Sequence, residues 1–354
     1  MFRRLSIVLL VAAGLLWFKH YVPGLHTANE YIRLYAVLAM AEHGTARLDP
    51  VFDRLAPGWR ERKSPPNVDV AMVSGADGEE HFYLDKAPLP SLLAVPLHYV
   101  IRAFVDPWQE PELEVWLLAM LLSGLPALIF LFALGRGASP GESWALLVFG
   151  FASPFLIYGG LWFGHLTAGL AAYAGYALLK RERLLLGGLA LGAAVLCDYP
   201  AGVVSGSVLL VQAFTRRGWR ARLLPFLGFG VALAFQAVYN GIVFGDPLTF
   251  AYAHKYSQTF KGFHASGLFG VGLPSIATLL RLTFSPERGL FFLAPVLLVA
   301  VPGALLLAGD AERPWRERVL PMVILILPAL VLSGFVDWKA GNAVGPRHLI
   351  STLP

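Results

Sequence analysis

Long blocks of apolar residues, separated by short polar or basic stretches, dominate the pattern of this chain. Residues 115–134 and 319–336 contain no charged side chain, and each block is about long enough to cross a ~30 Å hydrocarbon core. The pattern predicts an all-α polytopic membrane protein with about nine transmembrane helices, and it excludes a soluble globular domain. The predicted spans are 5–21, 113–134, 144–160, 166–179, 184–198, 201–214, 223–244, 289–307 and 319–336.

Basic residues cluster beside these blocks and predict the orientation of the chain. Clusters lie at Arg3-Arg4 and within 180–183, 215–222 and 309–318, as is typical of cytoplasmic loops. We therefore expect a single multi-pass domain in the inner (plasma) membrane with a cytoplasmic N-terminus. Its predicted parts are a first span (5–21), external loop 1 (22–112), a helical module (113–244), external loop 2 (245–288), further spans (289–336) and an external segment (337–354), beyond which we expect the protein to continue.

Two apolar stretches need a different interpretation. Residues 88–104 are short and carry Pro90, Pro96 and His98, and a crossing there would reverse the orientation of everything that follows. We interpret this stretch as a helix lying at the outer interface. The N-terminal stretch resembles a signal peptide but lacks a clear small-residue cleavage site, so it predicts an uncleaved first span.

Composition and charge narrow the class of protein further. Of 354 residues, 56% are hydrophobic and 14% charged, whereas soluble domains are about a quarter charged. The net charge of +5 belongs to the membrane-flanking clusters, so nucleic-acid binding is not predicted. Cys197 is the only cysteine, which excludes an internal disulfide and a multi-cysteine metal site. Walker A, HExxH and CxxC motifs are all missing from the sequence, so soluble nucleotide chemistry has no support.

Five polar motifs fall on the external side of the predicted topology, at 29–30, 81–90, 239–247, 285–292 and 338–348. In the first motif, Asn29 could cap a helix with Glu30 in its first turn, or Glu30 could serve as a base or a metal ligand. In the second, Lys86 could extend to the lipid headgroups or bind a phosphate as a point charge. The other three are open to interpretation as turns and interfacial anchors. Their convergence on one side favours a functional surface.

His165 and Asp198 lie at the outer tips of two predicted helical hairpins. An ionisable group at membrane depth is a functional hypothesis by default, but at a hairpin tip solvation is the favoured explanation for these two residues.

Together the motifs resemble the C-type glycosyltransferase superfamily, especially the relatives of protein O-mannosyltransferases and aminoarabinose transferases. These multi-span enzymes use a polyprenyl-phosphate-linked sugar on the outer face of the membrane. Their first external loop opens with an acidic pair, where residues 28–31 (Ala-Asn-Glu-Tyr) stand here. That loop ends with a Lys-Pro-Pro-Leu-like motif, which residues 85–89 (Asp-Lys-Ala-Pro-Leu) match loosely. A seven-span module followed by a second external loop is also typical of the family.

The resemblance implies a membrane glycosyltransferase that moves a sugar from a polyprenyl-phosphate carrier to a lipid, glycan or protein acceptor of the cell envelope. The family's first acid is Asn29 here, so either Glu30 is the general base, or Asp49, Asp53 or Asp69 takes that role, or the protein is not catalytic. Carboxylates share a loop with His81, which leaves a divalent metal ion open as a cofactor, although we assign no metal ligands. The implied catalytic set is Glu30, Asn29 and Asp69, and the implied set for the carrier phosphate is Lys86, Arg288, Arg347, Arg33, Asp85 and His81.

A non-catalytic transporter or a scaffold of an envelope-assembly complex is the alternative. A transporter favours charges buried within its spans and paired internal repeats. The sequence places its charges in loops and shows no repeat, which favours the enzyme.

Overall fold

The computed structural model describes residues 2–24, 26–62, 64–75, 77–136, 138–265, 267, 270–341 and 343–354. These residues form a mostly helical fold. The α-helices are α1 (Phe2–Phe18), α2 (Ala28–His43), α3 (Asp49–Leu55), α4 (Leu89–Ile101), α5 (Pro111–Ala119), α6 (Leu125–Leu134), α7 (Pro140–Ala152), α8 (Pro154–Gly159), α9 (Gly164–Lys180), α10 (Leu184–Cys197), α11 (Ala201–Thr215), α12 (Trp219–Phe244), α13 (Gln258–Ala265), α14 (Ile276–Phe284), α15 (Leu290–Leu293), α16 (Ala300–Gly309) and α17 (Trp315–Ser333). A π-helical turn (Met120–Gly124) joins α5 to α6, and 3₁₀ turns cover Ala251–His254, Pro295–Val299 and Arg347–Thr352.

The prediction of an all-α protein is wrong in one place. Strands β1 (Val70–Ser74) and β2 (Glu80–Leu84) form an antiparallel hairpin within the predicted external loop 1. The hairpin is the local exception because its strands carry β-branched and aromatic residues, such as Val70, Val73, Phe82 and Tyr83, which favour a pleated surface.

Within the described residues, two helices are long and apolar enough to cross a membrane: the continuous helix Pro111–Leu134 and α12. Along α12, Phe235, Val238 and Ile242 are exposed, as expected of a surface that faces lipid. Shorter apolar helices cover Leu5–Phe18, Leu89–Ile101, Leu184–Cys197, Ala201–Thr215 and Pro295–Gly309. The predicted number of nine spans is not supported, because a helix of 14 residues reaches only about 21 Å at 1.5 Å per residue.

Two of the predicted spans are interrupted for local reasons. The stretch 144–160 divides at Ser153, which is extended and caps α8 just before Pro154. The stretch 289–307 divides at Ala294 before Pro295, since proline disfavours a helical residue ahead of it. By contrast, the predicted turn at residues 198–200 is confirmed, because α10 ends at Cys197 and α11 begins at Ala201.

The basic stretches predicted to be cytoplasmic meet one another. Lys180 Nζ lies 3.0 Å from Glu317 Oε1, and Arg216 donates to Glu182 Oε2 at 2.5 Å. The loops that precede α10, follow α11 and precede α17 therefore form one end of the helical region.

Close helix packing holds the centre of that region together. A Cβ atom on Gly188 of α10 would stand 1.8 Å from the carbonyl oxygen of Pro225 in α12, so only glycine fits at this contact. The predicted external loop 1 has its own core, in which Ile32, Leu38 and Phe52 are fully or almost fully buried with the hairpin and α4.

Candidate functional site

The hairpin brings the two predicted external loops together. Ala71 of β1 forms an antiparallel bridge with Lys255, and the amide of Tyr256 donates to the carbonyl oxygen of Val70 at 3.0 Å. Because β2 ends at Leu84, Asp85 and Lys86 follow directly on the neighbouring strand. Lys255 is thereby placed beside Asp85, 170 residues away in sequence.

Asp85 is the centre of an ion network that we call the lysine pair site (Asp69, Asp85, Lys86 and Lys255). The fully buried carboxylate of Asp85 lies 2.7 Å from Lys255 Nζ and 3.1 Å from Lys86 Nζ. Lys86 Nζ also lies 3.0 Å from Asp69 Oδ1. Two ammonium groups are thus held side by side by one shared carboxylate. Asp69 and Asp85 balance their charges, and each ammonium has three N–H donors, so each keeps a donor for an anion nearby.

The titration of this site follows from burial and from its mixed charges. Burial alone would raise the pKa of Asp85, but the ammonium groups of Lys86 and Lys255 outweigh it and hold the pKa below its usual value. Burial and repulsion from Lys86 lower the pKa of Lys255, against the attraction of Asp85. Asp85 therefore stays ionised and positions the lysines.

The lysine pair site opens into a cavity of about 390 Å³, which we call the polar cavity. Asn29 of α2 and the aromatic rings of Tyr252, Phe260 and Phe335 contribute to its wall. The members that bear polar chemistry are Asn29, Asp69, Lys86, Lys255, His264, Asp337, Arg347 and His348.

Arg347 adds a third cation to the polar cavity. Its Nε atom is buried and makes no hydrogen bond to any residue within the described ranges. A guanidinium has five N–H donors in a fixed fork, and the Nε–H donor of Arg347 therefore remains available to a ligand. Asp337 lines the same cavity, and its pKa is raised by burial even though Arg347 opposes that shift.

Arg33 stabilises the site by hydrogen bonds to residues next to it. Its buried side chain donates to Asn29 Oδ1 and to the carbonyl oxygen of Ala87, each at 3.2 Å. The second bond fixes the turn that carries Lys86 against α2. Arg33 therefore lies next to the predicted phosphate site and positions Lys86.

No family model, no curated protein and no solved structure matches this chain. The chemistry of the site is therefore inferred from its own residues.

Glu30 lies on the other side of α2. The cap of the helix is Thr27, two residues earlier than the predicted Asn29, and Glu30 completes a capping box with it. One carboxylate oxygen of Glu30 accepts from the Thr27 amide at 3.1 Å and the other from the Trp162 amide at 3.2 Å. Glu30 lines a separate cavity of about 380 Å³ with Lys19 and His26, which we call the cap cavity.

Two more predicted residues have other partners. Arg288 donates to the carbonyl oxygens of Ala343 and Gly341, so it braces a segment of the polar cavity wall. His81 lies between Asp77 and Asp49, at 2.8 and 3.4 Å, and fastens β2 to α3. Of the predicted residues, the structure brings Asn29, Asp69, Lys86 and Arg347 to the wall of the polar cavity, with Asp85 and Arg33 behind them.

An apolar cavity of about 690 Å³ lies near the polar one, between α14, α15, α16 and α17. The 3₁₀ turn Arg347–Thr352 links the two cavities: Arg347 and His348 line the polar one, and Leu349 and Thr352 line the apolar one. A charged recess and an apolar groove thus meet at consecutive residues of one short helix.

The prediction missed Lys255 and Asp337 as members of the site, and it included His348 in the motif 338–348 without assigning it a role. Lys255 reaches the cavity because its segment pairs with β1, which is far away in sequence, and no spacing signal indicates that pairing. His165 and Asp198, predicted at the hairpin tips, form a buried pair with His165 Nδ1 2.7 Å from Asp198 Oδ2.

Proposed function

We propose that the protein is a membrane glycosyltransferase that uses a polyprenyl-phosphate-linked sugar. The observation that carries the proposal is the polar cavity, where Lys86, Lys255 and Arg347 converge beside an apolar groove. The three cations suit a phosphate group, and the groove suits an isoprenoid chain. A carrier lipid has both parts in one molecule.

The reaction needs a base and a stabilised leaving group, and the cavity offers both. Asp69 takes the proton of an acceptor hydroxyl or amine, and that atom attacks the anomeric carbon of the sugar. The bond between the anomeric carbon and the phosphate oxygen breaks, and its electron pair leaves with the carrier phosphate. Lys86, Lys255 and Arg347 stabilise the negative charge that develops there. A single displacement of this kind inverts the anomeric configuration.

Asp69 replaces Glu30 as our proposed base. The Asp69 side chain is 21% exposed and its Oδ1 meets an ammonium group, whereas both oxygens of Glu30 accept from backbone amides. The loop of Asp69 is also fixed to the cavity wall, because Asn67 donates to the carbonyl oxygen of Ala28 at 2.8 Å and accepts from the Asp69 amide.

We also propose the multi-pass orientation, with a cytoplasmic N-terminus and residues 22–112 and 245–288 outside the inner membrane. The pairing of Lys255 with Asp85 supports a common side for both external loops. The contacts of Lys180 with Glu317 and of Arg216 with Glu182 support a common side for the three basic loops.

Cysteine labelling in intact cells tests this orientation. In a Cys197→Ser background, Glu79→Cys should react with an impermeant thiol reagent, and Arg217→Cys should react only after the membrane is permeabilised. Labelling of the Arg217→Cys protein in intact cells would contradict the orientation.

Binding of a polyprenyl phosphate to the purified protein in lipid nanodiscs tests the function. Lys86→Met keeps most of the apolar stem and removes the charge. We expect it to weaken binding by about 1.5–3 kcal/mol, the range for a hydrogen bond to a charged group. Lys86→Arg should also bind poorly, because the planar fork cannot replace a point charge held between Asp69 and Asp85.

Lys261→Met is the matched control, since Lys261 is an exposed lysine in the predicted external loop 2. Equal affinity in the wild type and in Lys86→Met, Lys86→Arg and Lys261→Met would leave Lys86 as an interfacial anchor and overturn the proposed phosphate site. Normal carrier binding by a wild type that transfers no sugar would favour a transporter or a scaffold.

A further inference from the structure

Three side chains from three separate elements meet behind the polar cavity. His165 is the second residue of α9, Asp198 follows α10, and His348 belongs to the 3₁₀ turn Arg347–Thr352. Ligand atoms from all three lie within 4.8 Å of one another. The His165 ring contacts the His348 ring edge to face, with the centroids 5.5 Å apart.

A glycine makes this approach feasible. A Cβ atom on Gly164 would lie 1.9 Å from the carbonyl oxygen of Cys197, so α9 can begin this close to the end of α10 only with glycine there. The contact sets the residues that follow, His165 and Asp198, side by side. Close packing of the two chain segments therefore builds the His165–Asp198 pair.

The ring nitrogens of the two histidines in this cluster indicate that it can bind a ligand. His165 Nδ1 and Asp198 Oδ2 face each other at 2.7 Å, and a metal ion can take the place of the proton between them. Nδ1 of His348 is buried and has no hydrogen bond to any residue that the structure describes.

We propose that His165, Asp198 and His348 bind a transition-metal dication of the zinc class. Two imidazoles and one carboxylate form the donor set of catalytic zinc sites, which keep a fourth position open. A tetrahedral ion with bonds of about 2.0–2.2 Å needs donor atoms roughly 3.3 Å apart. Donor atoms separated by the full 4.8 Å would therefore have to approach each other by about 1.5 Å. The proposed site borders the polar cavity, because His348 lines it.

Nearby cations shape the binding. Arg33 and Arg347 both act on the His165 ring, and Asp198 is the one anion in the proposed ligand set. The charge balance therefore predicts that an anion in the polar cavity strengthens metal binding. By thermodynamic linkage, the metal strengthens binding of that anion by the same factor.

Metal titration of the tag-free, chelator-treated protein in detergent tests this site. We expect the wild type to bind one equivalent of Zn²⁺, and to bind it more tightly with inorganic phosphate present. His165→Asn, Asp198→Asn and His348→Asn should each weaken binding at least about tenfold, the smaller of the effects found even for outer-shell partners. His254→Gln is the control, because His254 Nε2 contacts only the Thr249 hydroxyl at 3.0 Å among the described polar groups.

A spectroscopic measurement on the wild type avoids the risk that a variant misfolds. Co²⁺ at this site should give the intense visible absorption of a four-coordinate ion. Unchanged Zn²⁺ affinity across the three variants, or a wild type with no four-coordinate Co²⁺ spectrum, would overturn the proposal and leave Asp198 as the residue that orients His165. Neither measurement uses a carrier lipid, so the outcome is independent of the proposed transferase function.

Discussion

Two cavities of similar size lie on opposite sides of the start of α2, and they differ in what their charged groups are free to do. The polar cavity measures about 390 Å³ and the cap cavity about 380 Å³. Asn29 lines the first and Glu30, its neighbour in sequence, lines the second. Each cavity contains a carboxylate and a lysine, so residue types alone do not distinguish them.

The hydrogen bonds of the two carboxylates do distinguish them. Glu30 is fully buried and accepts from two backbone amides and from the Thr27 hydroxyl. Asp69 is partly exposed and meets the ammonium of Lys86. A carboxylate whose acceptor sites are filled by fixed amides holds the backbone in place. A carboxylate that lines the cavity and is partly exposed to solvent is accessible to an acceptor group.

The lysines of the two cavities also differ, in how closely they contact carboxylates. Lys19 Nζ stands 3.8 Å from Glu30, a loose contact in a cavity otherwise lined largely by apolar side chains such as Leu156 and Ile157. Lys86 Nζ lies 3.0 Å from Asp69 and shares Asp85 with Lys255. Of these two cavities, and among the residues that the structure describes, the polar cavity has the more cationic wall, with Lys86, Lys255 and Arg347.

The largest expected effect comes from Asp69→Asn. The amide keeps the shape of the side chain and loses its basicity, so turnover with a polyprenyl-phosphate-linked sugar should fall by about 10²–10⁴-fold, the usual contribution of a general base. Carrier binding should persist, because Lys86, Lys255 and Arg347 remain. Sugar transfer and carrier binding are measured on the same preparation.

Asp77→Asn is the matched control for that prediction, since the exposed carboxylate of Asp77 pairs with His81 outside the polar cavity. Its turnover should match the wild type. Wild-type turnover in Asp69→Asn would remove Asp69 from the mechanism and would make Asp337 the next carboxyl group to test.

The sequence predicted those parts of the site that lie close together along the chain. Lys86 follows Asp85 in a motif just before an apolar helix, and both belong to the site. Lys255 could not be predicted from the sequence, because its pairing with Asp85 depends on a bridge between β1 and a segment more than 180 residues later. The cap of α2 was predicted two residues late, because Asn29 and Thr27 are both good caps and only geometry selects between them.

The prediction of the fold was likewise correct for some features and wrong for others. Apolar blocks located the helices, and the continuous helix Pro111–Leu134 agrees with the predicted span. Breaks within apolar stretches were missed at Ser153 and Ala294, where a proline follows a residue with no distinctive hydropathy. Hydropathy averages over such positions, whereas the backbone responds to a single proline.

A smaller effect is expected from raising the pH. Burial lowers the pKa of Lys255 below the usual value of about 10.5, so its ammonium charge is complete below the lowered pKa and is lost as the pH rises through it. Binding of a polyprenyl phosphate should therefore weaken by about tenfold on the alkaline side, the loss of one charged hydrogen bond. Affinity is measured as a function of pH for the wild type and for Lys255→Arg, which keeps its charge and should shift the decline to higher pH. Identical profiles would show that Lys255 does not titrate in this range.

The smallest effect on activity is expected from Glu30→Gln, the variant that separates a helix cap from a base. Glutamine is tolerated at this place in a capping box, so α2 should still begin at Ala28. Its amide offers one acceptor oxygen in place of two, and the buried amide of Trp162 or of Thr27 then loses its partner. The free energy of unfolding should fall by about 1–3 kcal/mol, the cost of an unsatisfied buried donor, while turnover of the folded protein stays close to that of the wild type. Thermal unfolding and sugar transfer on one preparation distinguish the two roles. Full stability with abolished turnover would reverse the comparison, because Glu30 would then be the base and the cap cavity would be the catalytic one.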